Sequence, residues 1–272
     1  MTMVISSVQN ERVKHVVALQ QKSAERRRAG LFVVEGRREL QHCVEAGLQM
    51  DSVFWCPELL AEQPVCPITP FEVTRQVYEK MAYRGSTEGL LAVVRSRQLT
   101  LADLPLPQGG HASECDNNQA NETPLIVVLE SVEKPGNLGA ILRSADASGA
   151  TAVIVCDPLT DLYNPNLIRS SVGAFFSVPC VACSSEECID FLKQHNVQIL
   201  TAQLQDSSLY YDVDMRRATA IVMGTESTGL TQQWREAADA HIRIPMLGRI
   251  DSLNVSVSAA ILLFEAVRQR RS

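Results

Sequence analysis

Three times between residues 125 and 223 the chain returns to a short, uninterrupted apolar run: LIVVLE at 125–130, AVIVC at 152–156 and ATAIVM at 218–223. A strand with one face in water alternates apolar and polar residues, whereas a strand that is apolar throughout has to be covered on both faces. That is the situation of a parallel sheet flanked by helices. Further strands are predicted at 176–182, 197–202 and 240–244, with helical stretches at 138–148, near 165–172, 185–195, 231–238 and 253–270. The second half is therefore an α/β unit with a helix-flanked parallel sheet.

The first hundred residues alternate in the same way over shorter elements. Their pattern predicts a helical stretch at 8–28, a strand at 31–35 (LFVVE), a helix at 37–46, a strand at 52–55, and a third apolar piece at 65–68. A helix opened by Pro70 and running to Met81, then a strand at 89–94, complete a small α/β unit. Residues 101–124 (LADLPLPQGGHASECDNNQANETP) lack apolar periodicity and are rich in Pro, Gly, Asn and acids, which predicts a linker or long loop. The expected organisation is residues 1–97, a linker at 98–123, and residues 124–272; a length of 272 residues suits two domains. With 46% hydrophobic and 21% charged residues, the chain is neither a disordered tract nor a disulfide scaffold. No apolar run approaches the roughly 18 residues of a membrane helix, and the N-terminus lacks a basic segment followed by an apolar one. A cytoplasmic protein is the expectation.

The net charge of −6 offers no case from composition for nucleic-acid binding, because affinity for phosphate comes from Lys and Arg. Local clusters can supply it: Arg26, Arg27 and Arg28, then Arg37 and Arg38, in a region carrying 13 basic and 11 acidic residues over 1–100. A basic helix face is otherwise simply solvated. The eight cysteines, at 43, 56, 66, 115, 156, 180, 183 and 188, are too few for a stapling framework in a chain of this length. Cys180, Cys183 and Cys188 followed by His195 have a spacing superficially like a zinc set. The first two belong to an apolar strand and the others to an amphipathic helix, so they need not converge, and no metal is assigned to them.

Ligands of open parallel sheets collect beyond the carboxyl ends of the strands, so the loops there carry the chemistry. E-S-V-E-K-P-G-N-L-G-A-I-L-R at 130–143 offers glycines for tight turns, Asn137 as a helix cap and Arg143 near the helix start. M-G-T-E-S-T-G-L at 223–230 places two glycines around an acid. I-P-M-L-G-R-I-D-S-L-N-V-S-V-S at 244–258 carries Ser252, Asn254, Ser256 and Ser258, more small polar residues than one cap needs. A dinucleotide-binding turn would require G-x-G-x-x-G, and only Gly136-x-x-Gly139 is present.

Taken together these segments resemble the SpoU family, also called the TrmH family, of RNA ribose 2′-O-methyltransferases in the SPOUT superfamily. The resemblance rests on N-L-G-A-I-L-R-S-A at 137–145, G-T-E-S-T-G-L at 224–230 and the 244–258 segment, in the family's order; N-P-N-L-I-R-S-S-V-G-A at 164–174 is similar to its intermediate segment. F-V-V-E-G-R-R-E-L at 32–40 is similar, more loosely, to the family's ribosomal-protein-like (L30e-like) substrate-binding domain. Ser227 stands where the family usually has glycine.

The resemblance implies a deep trefoil knot in the C-terminal domain and a homodimer with the last helix at its interface. It also implies S-adenosylmethionine held by backbone groups of Gly224, Ile244, Met246 and Leu253. Arg143 would lie at the 2′-hydroxyl, with Asn137, Glu226, Ser252 and Asn254 positioning it and the ribose-phosphate. A guanidinium is protonated at any ordinary pH, so Arg143 acts either as a base in an unusual environment or by stabilising the developing alkoxide while phosphate or water takes the proton. The first domain would grip RNA, ribosomal RNA before transfer RNA, through Arg26–Arg28 and Arg37–Arg38. The alternatives are a transfer-RNA methyltransferase, a non-catalytic RNA-binding protein on the same fold, and a dinucleotide oxidoreductase, the last disfavoured by its missing glycine motif.

Overall fold

A computed structural model describes residues 4–85, 88–106, 123–225 and 228–272. Contacts divide the chain into two units, Met1–Gln98 with Asp161–Ser177, and Leu99–Thr160 with Val178–Ser272. No helix among the described residues is long and apolar enough to cross a membrane.

The first unit is built on β1 (Val4–Ile5), α1 (Glu11–Gln21), α2 (Ser23–Ala29), β2 (Leu31–Glu35), α3 (Arg37–Glu45), β3 (Met50–Trp55), β4 (Phe71–Val73), α4 (Arg75–Met81) and β5 (Leu90–Arg95). Its sheet runs in the order β1-β4-β3-β5-β2. β5 is antiparallel to both β2 and β3, while β4 is parallel to β3 and β1. α1 buries Val13, Val16 and Leu19, a stripe at helical spacing, against strand residues such as Val33 and Phe54.

Three expectations for this unit are corrected. The helix at 8–28 is two helices, because Lys22 is extended (φ −121°). The Arg26 guanidinium folds back there, donating to the carbonyls of Leu19 (2.6 Å) and Gln20 (3.2 Å), so it satisfies the end of α1 in place of a continuing helix. The piece at 65–68 forms no strand, and Val65 is fully exposed. Pro64 and Pro67 bring no backbone donors, and the pairing shifts to Phe71–Val73. Pro70 thus precedes a strand rather than opening a helix; α4 starts at Arg75.

The second unit carries β6 (Leu125–Glu130), α5 (Pro135–Ser148) and β7 (Ala152–Cys156). The chain then passes through α6 (Pro165–Ser171) and α7 (Ala174–Ser177), which pack with the first unit. There the Phe32 ring lies 4.6 Å from that of Tyr163 and 6.1 Å from that of Phe176, centroid to centroid. β8 (Cys180–Cys183), α8 (Ser185–Gln194), β9 (Gln198–Ala202), β10 (Ser208–Leu209), β11 (Thr219–Met223), α9 (Gln232–Ala237), β12 (Ala240–Arg243) and α10 (Val255–Arg271) complete the second unit.

Its seven strands run β10-β12-β9-β11-β6-β7-β8, with every neighbouring pair parallel. β6, β7 and β11 are buried at every position, as their unbroken apolar composition requires. Alternate residues Ile126, Val128, Ile154 and Val222 share a core with Leu192 of α8 and Trp234 of α9; α5 and α10 pack against each other and against strands of the same sheet. The strand expected at 176–182 is corrected. Its first residues end α7, Pro179 offers no donor, and pairing begins at Cys180. Short β1 and β10, of two residues each, carry no periodicity to read.

Candidate active site

β11 enters the sheet between β9 and β6 although it follows both in sequence. The chain direction across the sheet reverses there, and a crevice opens at the strands' carboxyl ends. The loop leaving β11 doubles back on itself. A Cβ added to Gly224 would lie 2.3 Å from the backbone carbonyl carbon and oxygen of Gly229, so only glycine permits this approach. Gly229 itself has φ +70°. Thr225 and Gly229 bridge, and the Thr228 amide donates to Thr225 Oγ1 at 3.0 Å. Glu226 and Ser227 lie outside the described residues.

The segment leaving β12 runs to Asn254, which caps α10: its Oδ1 accepts from the Ser256 amide (3.0 Å) and Ser256 Oγ (2.6 Å). Its Nδ2 reaches the Oδ1 of Asn137 at 3.3 Å, tying the start of α10 to the first turn of α5. Asn137 is not the cap of α5. The helix starts at Pro135, which needs no donor there, with Lys134 at the cap position, so Asn137 sits inside the first turn.

These two loops enclose a cavity of about 320 Å³. Gly224, Ile244, Met246, Ser252 and Leu253 all line it. So do Gln203 and Arg235, of which two buried atoms, Gln203 Oε1 and Arg235 Nε, have no hydrogen-bond partner among the described residues. Unpaired buried polar atoms cost free energy unless a ligand satisfies them. Mixed apolar and polar walls, in a volume at the small end of ligand pockets, fit a small molecule that carries both an apolar and a polar part. An adjoining cavity of about 230 Å³ shares Gly224, Thr225 and Val255 with the first and adds Glu130, Lys134 and Asn137. Glu130, only 3% exposed, accepts from the Thr231 amide (2.9 Å) and Oγ1 (2.6 Å), which fixes the entry to α9.

Arg143 lines neither cavity. It is exposed on α5, six residues beyond Asn137, which is about 9 Å along the helix axis and on another face. Of the basic clusters, Arg27, Arg37 and Arg38 are exposed, and Arg28 is exposed while bonded to Glu25. Arg26 is corrected from a phosphate contact to a structural residue. It is 5% exposed, with its Nε on Asp161 at 2.6 Å and its Nη1 on the α1 carbonyls. Cys180 and His195 do not join Cys183 and Cys188: among the described residues it is Cys156 that lies with those two, and His195 Nδ1 lies 2.9 Å from the Phe191 carbonyl oxygen. Gln203 and Arg235 were not legible in the sequence, since neither belongs to a motif. Glu130 had one signal, a carboxylate ending an otherwise apolar strand.

Residues 124–264 match the SpoU rRNA Methylase family, and residues 10–92 match the MRM3-like substrate binding domain. The chain is 32% identical to the 23S rRNA (guanosine-2'-O-)-methyltransferase RlmB of Vibrio parahaemolyticus, over 87% of this chain and 91% of that one. Its fold matches a crystal structure of an RNA 2'-O ribose methyltransferase with a TM-score of 0.80 and 36% identity, covering 99% of this chain and 100% of the other. It also matches the SpoU methyltransferase AviRb from Streptomyces viridochromogenes in complex with the cofactor AdoMet. There the TM-score is 0.82 and the identity 29%, over 96% and 99% of the two chains.

Proposed function

Since the chain belongs to the SpoU rRNA methylase family, we propose that it transfers a methyl group from S-adenosylmethionine to a ribose 2′-hydroxyl of RNA, with ribosomal RNA as the substrate. The observation that carries this reading is the cavity at the switch point, which residues of both family loops line together with Gln203 and Arg235. When bound, S-adenosylmethionine supplies an electrophilic sulfonium methyl together with its own leaving group. Gly224, Ile244, Met246 and Leu253 hold the ring and methionine portions through their backbones, and Arg235 and Gln203 take polar groups of the same molecule.

In-line displacement asks the protein mainly to align donor and acceptor and to see one proton removed. Asn137, held by Asn254 at 3.3 Å, orients the ribose from the adjoining cavity. Ser252 adds a polar group to the cavity wall, and Glu226 is assigned to the same site by the family motif alone. Arg143, exposed on α5 outside both cavities of its own chain, offers a permanent charge to the RNA phosphate; the family resemblance alone gives it the further role of stabilising the developing alkoxide while phosphate or water accepts the proton. The N-terminal unit grips RNA with Arg27, Arg28, Arg37 and Arg38; an acidic chain needs such local clusters because its overall field repels phosphate. A ribosomal substrate goes with a cytoplasmic site of action. A homodimer through α10 is supported by the exposed Val257 and Phe264, seven residues apart on one face of that helix. A knotted C-terminal segment belongs to the same reading.

The test is transfer of labelled methyl from S-adenosylmethionine to unmodified ribosomal RNA and, separately, to transfer RNA, followed by digestion to nucleosides. Label in a 2′-O-methylnucleoside from ribosomal RNA is the expected outcome. Label only in transfer RNA moves the substrate class, and cofactor binding without transfer to either RNA or to ribosomal particles leaves a non-catalytic RNA binder.

A further inference from the structure

Outside the cavities just described, three thiols converge. Cys156 ends β7 and Cys183 ends β8, and the two are direct partners in the parallel register. Cys188 comes from the first turns of α8, and the three sulfur atoms all lie within 4.8 Å of one another. Cys156 and Cys188 are fully buried; Cys183 is partly exposed. We propose that Cys156, Cys183 and Cys188 form a three-thiolate binding site for a thiophilic divalent cation of the zinc class, with water in the fourth position.

Around a zinc ion with Zn–S bonds of about 2.3 Å, sulfurs stand roughly 3.8 Å apart, so closing this group moves them by at most about 1 Å. The scaffold is already fixed for that. Asp157 Oδ2 accepts from the Ser185 amide (3.2 Å) and Oγ (2.6 Å), and Trp234 Nε1 donates to the same Oγ at 3.0 Å. Ser184 and Glu187 form a capping box. These bonds anchor the start of α8 over the ends of β7 and β8 and set Cys188 above the other two thiols. They also occupy both carboxylates flanking the group. The fourth position therefore falls to solvent, on the side where Cys183 is exposed. Sulfur ligands without nitrogen select soft cations over magnesium or calcium, and the amino end of α8 favours the negative charge of thiolates.

On binding, three S–H bonds lose their protons to solvent and three S–metal bonds form; no electron is transferred. Packing of small apolar thiols would also bury cysteines together, but it predicts no stoichiometric ion.

The whole chain, fully reduced, is offered Zn²⁺ against a chromophoric chelator, with stoichiometry read by native mass spectrometry and geometry by the visible spectrum of the Co²⁺ form. One equivalent per chain and a tetrahedral, thiolate-bearing cobalt spectrum are expected. Cys183→Ser, at the exposed ligand, weakens binding by at least roughly 100-fold, whereas Cys180→Ser and Cys66→Ser do not change it. Circular dichroism identifies the folded variants, and Cys188→Ala is read beside Cys183→Ser in case one of them unfolds. Binding that survives Cys183→Ser, an absence of stoichiometric metal in the reduced protein, or formation of a disulfide within the group as its only chemistry overturns the proposal. Because the thiols lie outside the cofactor cavity, S-adenosylhomocysteine binding by the same samples is a separate readout.

Discussion

Gly224 is the residue with the least freedom in the candidate site. Any Cβ there meets the Gly229 backbone at 2.3 Å, so Gly224→Ala forces the turn open. We expect it to weaken S-adenosylhomocysteine binding more than tenfold in calorimetry. Arg235→Ala tests the orphaned Nε. If that atom holds a polar group of the cofactor, affinity falls about tenfold, the usual size of one charged hydrogen bond; an unchanged affinity would make the guanidinium a bystander. Arg143→Ala should behave in the opposite way, leaving cofactor affinity intact while methyl transfer falls by at least about 100-fold. The glycines and clustered small polar residues of 224–230 and 244–258 were readable because each departs from what a plain turn or cap requires. Gln203 and Arg235 look like ordinary polar residues in one dimension. Only the fold brings both side chains to one cavity.

The elements were legible wherever burial imposes a period, and misread where a single side chain or proline decides. α1 and α2 form one polar-faced helical run by pattern, yet the run breaks because the Arg26 guanidinium takes the last carbonyls of α1 and pairs with Asp161. Arg26→Gln leaves Asp161 without its cation and those carbonyls less well capped. It should cost about 3 kcal/mol, seen as a melting transition lowered by roughly 10 °C. At the other end of the chain, hydrogen bonds from Arg268 (both 2.8 Å) hold the Glu265 carboxyl below its ordinary value of 4.5, against the opposing effect of burial and with help from Gln269. The folded-state value is the lower one, so the contribution is present above pH 4.5 and is lost as pH falls through the folded value. The Tm difference between wild type and Glu265→Gln should therefore shrink on acidification, which differential scanning calorimetry from pH 7 to pH 3 would register.

At the scale of the molecule, α10 leaves Val257 (47% exposed) and Phe264 (48% exposed) uncovered on one face. If a second copy covers them, Val257→Asp with Phe264→Asp yields a monomer in sedimentation velocity, and a wild type that sediments as a monomer at the same concentration removes the dimer from the reading. Unbroken apolar composition determined that β6, β7 and β11 are buried on both faces, and the helical stretches alternating with them in sequence made that sheet parallel and helix-flanked. Loop composition likewise marked two segments that line the cavity. Tertiary structure alone decided that β11 inserts between β9 and β6, which creates the crevice, and that Cys156 rather than Cys180 joins Cys183 and Cys188. Strand order and register depend on which distant surfaces bury most area together, and no local periodicity encodes that choice.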